Sequence, residues 1–223
     1  YAPYDAAPGA HRSRGFSCRA SHPGRGGGRG ERLELSIAAR GHGEPLVLLH
    51  GFTGNRTSWD DFAPAWADRF RVLCVELPGH GQTPPPAAPE DARLPAVADA
   101  IARELDAEGA RTAHFVGYSM GGRAVLNFAV RHPERMASMA VLSASPGIEQ
   151  ESERLARCAA DTSLAERIER GGLEAFVDRW MTQPLFASLA NADPRSFAAE
   201  RARKLSGSAS SFAAGLLAMG PGW

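Results

Sequence analysis

The sequence predicts an α/β protein, a mostly parallel, doubly wound sheet with a helical cap. Three observations carry this expectation. Short apolar runs of strand type at Pro45–Leu49, Arg71–Glu76 and Thr112–Gly117 alternate with segments of helical periodicity. Gly117-Tyr118-Ser119-Met120-Gly121 stands at one strand-to-helix junction. From Gly147 onward every periodic segment is helical and no strand-like run follows.

Residues 1–30 carry Arg12, Arg14, Arg19, Arg25 and Arg29 among Gly, Ser and Pro, with only Asp5 acidic. Such a composition cannot bury a core, and it reads as a disordered or extraneous extension. A targeting segment or an RNA-touching Arg-Gly run would be the alternatives, but there is no apolar signal region and no amphipathic repeat. Residues 31–146 form the expected sheet core, and 147–223 the cap with the start of a return to that core.

Glu31–Ala39 alternates as a first strand and turns at Gly41-His42-Gly43. Pro45–Leu49 is continuously apolar, as in a parallel strand buried on both faces, and leads into His50-Gly51-Phe52-Thr53-Gly54. Thr57–Arg69 reads as a helix with Trp59, Phe62 and Trp66 on its core face. Arg71–Glu76 is a second buried strand, ending in the loop Leu77-Pro78-Gly79-His80-Gly81-Gln82-Thr83 at the strand end where open parallel sheets place ligands. Pro84–Pro89 is a proline-rich spacer, Leu94–Glu108 an amphipathic helix stopped by Gly109, Arg123–Arg131 a helix stopped by His132-Pro133, and Met136–Ser143 a further strand. In the cap, Glu149–Ala160, Ser163–Arg170, Gly172–Met181, Pro194–Lys204 and Ser208–Met219 read as helices.

With 223 residues, 43% of them hydrophobic, and 25 basic against 25 acidic side chains, the chain suits one sizeable core. Balanced charge gives no pull toward nucleic acid or an anionic membrane, and no run approaches the roughly 18 apolar residues of a spanning helix. Cys18, Cys74 and Cys158 are odd in number and unpatterned, so they read as free thiols suited to a reducing cytoplasm rather than as a disulfide framework or zinc site. No pattern assigns an oligomeric state.

The chemistry concentrates at Ser119. A Gly-x-Ser-x-Gly elbow needs a turn tight enough to push one hydroxyl out of the backbone, with glycines where neighbouring chain packs without room for a Cβ. A second glycine-rich loop, His50–Gly54, directly follows a buried strand. With His50–Trp59, Leu77–Thr83 and Gly117–Arg123 all present, the chain resembles the α/β-hydrolase superfamily. The wording of these motifs is similar to one branch of it, the 2-succinyl-6-hydroxy-2,4-cyclohexadiene-1-carboxylate synthases of menaquinone biosynthesis. Phe176–Ser188 and Ala218–Trp223 resemble that branch's cap segment and its glycine-rich neighbourhood.

That resemblance implies a lyase that removes a proton from 2-succinyl-5-enolpyruvyl-6-hydroxy-3-cyclohexene-1-carboxylate and eliminates pyruvate, with no cofactor or metal. Ser119 would act as base, and the N–H groups of Phe52 and Met120 would hold the developing oxyanion. Tyr118, Arg123, Arg154 and Trp180 match the branch's substrate-binding positions, while Lys204 stands where an arginine is expected. The implied partner is a small polycarboxylate, for which arginine's planar fork is the suited cation. A carboxylester hydrolase of the same fold, with Ser119 acylated, and a non-catalytic carboxylate-binding remnant are the competing readings.

An acid and then a histidine should follow the serine in chain order. His132 is the last histidine, and Asp161, Asp178 and Asp193 fall in the cap. The sequence thus reads as a C-terminally incomplete member of the family, lacking its last strands and weakly active as written.

Overall fold

The computed structural model describes residues 17–19 and 33–222. Ser17–Arg19 (β1), Ser36–Arg40 (β2), Glu44–Leu49 (β3), Phe70–Glu76 (β4), Ala113–Tyr118 (β5) and Met136–Leu142 (β6) form one sheet in the order β1-β2-β4-β3-β5-β6. The four strands β4, β3, β5 and β6 are parallel, and β2 and β1 add antiparallel pairs at one edge. β1 falls in the stretch read as an extension; the rest of residues 1–32 lies outside the described residues.

Alternation within the apolar runs feeds two layers. Val47, Leu49, Leu73, Val75 and Phe115 face Leu94–Ala107 (α2) and Met120–Arg131 (α3), where Ile101, Leu105, Val125 and Phe128 complete the larger core. Leu46, Leu48, Val72 and Cys74 face the other way, against Trp59 and Ala63. Burial on both faces is why these strands read as unbroken apolar runs. Burial also pushes the Cys74 thiol up to about 12, leaving it an inert packing group.

Two of the differences from expectation have a local cause. The helix expected over Thr57–Arg69 is a 3-10 turn, Arg56–Trp59, and one short helix, Ala63–Trp66 (α1). Asn55 caps the turn, accepting from the Thr57 N–H at 2.9 Å, and Pro64, which has no amide proton, opens a fresh helix. Phe62 between them is 53% exposed. In the cap, the two helices expected between Glu149 and Arg170 are one, Glu151–Gly171 (α4), because neither Gly nor Pro interrupts it before the Gly171-Gly172 pair. Gly172 ends it at φ 78°.

Leu173–Met181 (α5), Ala187–Ala192 (α6), Pro194–Leu205 (α7) and Ala209–Met219 (α8) complete the cap. Phe176, Val177, Met181 and Phe212 form its own small core with Ile168. The end of α8 rejoins the main core through Ala218 and Met219.

Candidate active site

Ser119 lies between β5 and α3 at φ 51°, ψ −112°, a conformation rare for a residue with a Cβ. The neighbouring glycines allow it. A Cβ on Gly121 would stand 2.2 Å from the Leu49 carbonyl oxygen, and one on Gly117 2.6 Å from that of Gly121. The elbow is thereby pressed against the end of β3, and Gly51 of the following loop would meet the Tyr118 ring at 2.8 Å if it carried a Cβ. The Ser119 N–H is tied to the Leu142 carbonyl of β6 at 2.8 Å.

A cavity of about 570 Å³ opens over the serine. Its floor comes from Phe52, Ser119, Met120 and Arg123, and its roof from α4 and α5, including Arg157, Asp161, Leu164, Arg167 and Trp180. Phe52 joins the two halves, with its ring 5.4 Å from that of Trp180 and 5.9 Å from that of Phe212. A smaller cavity of about 220 Å³ beside Glu44, Thr112 and His114 sits at the opposite ends of the strands, away from the edge where parallel sheets gather ligands.

Ser119, Phe52, Met120, Arg123 and Trp180 are therefore brought together. Tyr118 and Arg154 are not among the residues lining the cavity. Tyr118 packs in the layer of Trp59 and Ala63, on the other side of the sheet. Arg154 turns back to the carbonyls of Ile148 and Glu149, at 3.3 and 3.4 Å. Lys204 is buried and donates to Thr53 Oγ1 at 3.0 Å and Glu200 at 2.5 Å, with its ammonium 5.2 Å above the Phe186 ring. Burial lowers its pKa, against the pull of Glu200. Arg157 and Arg167, not picked out in the sequence, are the cap cations that do line the cavity. Their spacing from Ala160, Asp161 and Leu164 along one helical face is the signal that would have found them.

Arg123 is buried, its Nη atoms donating to the carbonyls of Met219 at 2.7 Å and Gly220 at 3.1 Å. Burial, reinforced by Arg157, lowers its pKa to about 10, which still leaves it charged at neutral pH. Asp161 is 2% exposed, and burial raises its pKa while Arg157 and Arg123 hold it down.

The loop histidines are committed elsewhere. His50 accepts from the Leu77 N–H at Nε2, 3.1 Å, which leaves Nδ1 to donate to the Gly51 carbonyl at 2.8 Å. Burial and the neighbouring His80 lower its pKa to about 3. His80 pairs Nδ1 with the Pro78 carbonyl at 2.9 Å, and burial lowers it to about 4. His114 bonds Ser138 and Glu44, and His132 bonds Asp99. Among the described residues no histidine hydrogen-bonds Ser119, and no cluster of His, Cys, Asp or Glu could hold a metal. No described helix is long and apolar enough to cross a membrane.

This architecture, a serine elbow at the carboxyl edge of a parallel sheet beneath a helical cap, is that of the α/β hydrolases. The sequence model of the alpha/beta hydrolase fold matches residues 44–216, and the chain belongs to that family. Within the family it is similar to the 2-succinyl-6-hydroxy-2,4-cyclohexadiene-1-carboxylate synthase of Klebsiella pneumoniae, 36% identical over 173 residues, covering 74% of this chain and 66% of that protein. The synthase of an Enterobacter species is 35% identical over 144 residues, 65% of this chain and 54% of that protein. The chain thus spans between about half and two thirds of the length of these curated relatives. Among solved structures, MenH from S. aureus superposes with a TM-score of 0.77 at 28% identity, covering 85% of this chain and 71% of that one. A thermophilic esterase from Thermogutta terrifontis, with malate bound, gives 0.70 at 26% identity, covering 83% and 66%.

Proposed function

We propose that these residues form the elbow, oxyanion loop and cap of a lyase that eliminates pyruvate from 2-succinyl-5-enolpyruvyl-6-hydroxy-3-cyclohexene-1-carboxylate to give 2-succinyl-6-hydroxy-2,4-cyclohexadiene-1-carboxylate. The observation that carries the reading is the cavity over Ser119, which sets three arginines, Arg123, Arg157 and Arg167, against the single acid Asp161. Ester hydrolysis needs no such excess of fixed cations; a substrate bearing several carboxylates does. The curated relatives named as this synthase support it.

Ser119 takes the proton whose loss starts the elimination, and the Phe52 and Met120 amides receive the negative charge that develops on the substrate oxygen. Trp180 supplies an apolar wall, and Arg123 a buried positive charge beneath the substrate. A serine hydroxyl is a poor base without an imidazole to accept its proton, and among the described residues none is placed against Ser119, so slow turnover is expected of this arrangement, with the roughly 10³–10⁴-fold residual over water that an oxyanion site and binding leave to a triad lacking one member.

Pyruvate release, followed by a lactate dehydrogenase coupled assay, tests this. Weak release that Ser119→Ala abolishes is expected. Release unaffected by that change, or none from the unmodified chain, would sink the reading. The likeness to the Thermogutta esterase favours a second reading, carboxylester hydrolysis. Burst acylation by a p-nitrophenyl ester without any pyruvate release would establish it instead.

A further inference from the structure

At the end of the sheet opposite Ser119, three strands bring together a serine, an imidazole and a carboxylate. Ser138 of β6 and His114 of β5 are register partners, and His114 pairs in turn with Leu46 of β3. Glu44 stands two residues before Leu46, hence on the same face of β3. His114 Nδ1 lies 2.7 Å from Ser138 Oγ, and its Nε2 lies 3.1 Å from Glu44 Oε2. An ionised carboxylate only accepts, so the neutral imidazole carries its proton on Nε2 and offers the Nδ1 lone pair to the Ser138 hydroxyl, which donates. The Phe70 ring makes a T-shaped contact with the imidazole, centroids 5.5 Å apart, and limits its rotation.

We infer that Ser138, His114 and Glu44 form a second nucleophile, separate from the elbow, that takes a short acyl group from an activated ester. Ser138 Oγ bonds the carbonyl carbon while His114 Nδ1 takes the hydroxyl proton. The ester C–O bond breaks, the alcohol leaves as its anion with the electron pair, and the imidazolium passes its proton to solvent. Glu44 is a positioning residue that sets the tautomer and faces the imidazolium, weakly, since its side chain is 80% exposed. The cavity of about 220 Å³ adjoins this relay, lined by His114, Glu44, Arg111 and Ala137, the residue before Ser138. It has room for a short acyl chain. Arg111, whose guanidinium makes no hydrogen bond or ion pair among the described residues, is the cation available to the carbonyl oxygen as that gains charge. As a clasp between strands the trio contributes little, because Ser138 and Glu44 both face solvent, and the same exposure opens the hydroxyl to an electrophile.

Acetylation by p-nitrophenyl acetate in a Ser119→Ala chain, located by tandem mass spectrometry, tests this. Trypsin releases residues 136–154 as one peptide, which carries Ser138 with Ser143, Ser145 and Ser152. All four are exposed, but only Ser138 hydrogen-bonds an imidazole among the described residues, so exposure is matched within one molecule. Ser138 is expected to acetylate about tenfold faster than the other three, and faster still as rising pH deprotonates the imidazole. His114→Gln, which keeps a hydrogen-bonding side chain without a base, should bring Ser138 down to the rate of its neighbours. Glu44→Gln should slow it about threefold, the yield of an exposed charge pair. Ser138 acetylated no faster than the other serines, an unchanged rate in either variant, or acetyl accumulating on His114 in its place overturns the inference. The comparison among the four serines needs no substitution in the relay, so it decides even if His114→Gln does not fold. In the unmodified chain Ser119 falls on a different peptide, residues 112–123, which keeps acylation of the elbow distinct from acylation of Ser138.

Discussion

At the scale of single residues, the two loop histidines carry a pH dependence with a definite sign. His50 and His80 are neutral in the fold, with pKa values lowered by burial to about 3 and about 4, whereas the unfolded chain protonates them near 6.5. Between these values the unfolded state binds more protons, so stability falls as pH drops below about 6.5 toward 4. Each histidine contributes up to about 1.4 kcal/mol per pH unit in that window. Urea midpoints measured from pH 7 to pH 5 should decline, and His50→Gln, which keeps an acceptor within reach of the Leu77 N–H, should flatten the decline. An unchanged slope in that variant would argue against a buried neutral His50. The glycine-rich loops around both rings were readable in the sequence. Their ring partners were not, since Leu77 lies 27 residues from His50.

Among elements, the elbow depends on how closely α3 is drawn onto the end of β3. Gly121 is already helical, so alanine there gains intrinsic helix propensity, of order 1 kcal/mol. The added Cβ nevertheless falls 2.2 Å from the Leu49 carbonyl oxygen and 2.6 Å from that of His50, both main-chain atoms that no rotamer change can move. Overpacking wins, and Gly121→Ala should lose about 1–3 kcal/mol net, seen as a lower thermal midpoint. A gain in stability would mean that β3 yields readily to α3. The sequence exposed this element well because strand, sharp turn and helix are dictated by neighbours in the chain. The break at Phe62 and the continuity of α4 were less visible, for they turn on one cap at Asn55 and on the lack of any helix breaker between Glu151 and Ile168.

For the molecule as a whole, β6 is the open edge of the described sheet, with Met139 and Leu142 each about half exposed and Val130 of the adjoining α3 85% exposed. An apolar edge strand with free backbone groups is a template for association. Met139→Lys, which places a charge on that edge, should lower light scattering at matched protein concentration without changing the far-UV circular dichroism. Equal scattering would show that the edge is already protected.

The sequence by itself determined the α/β order, the helical cap, the elbow at Ser119 and the family, because each rests on short-range sterics or on the period of apolar residues along one element. Only the tertiary structure decided which cap cations meet the cavity. Arg154 and Arg157 stand three residues apart on nearly one face of α4, about 4.5 Å along its axis, and periodicity cannot tell them apart. The choice is made by chain from the far end of the cap. Gly222 lies against the Arg154 carbonyl and accepts a hydrogen bond from Cys158 Sγ at 2.9 Å, while Ala213 and Leu216 of α8 pack with Ala165. These contacts fix where α4 crosses the cavity, leaving Arg154 outside its lining and Arg157 with Asp161 in its roof.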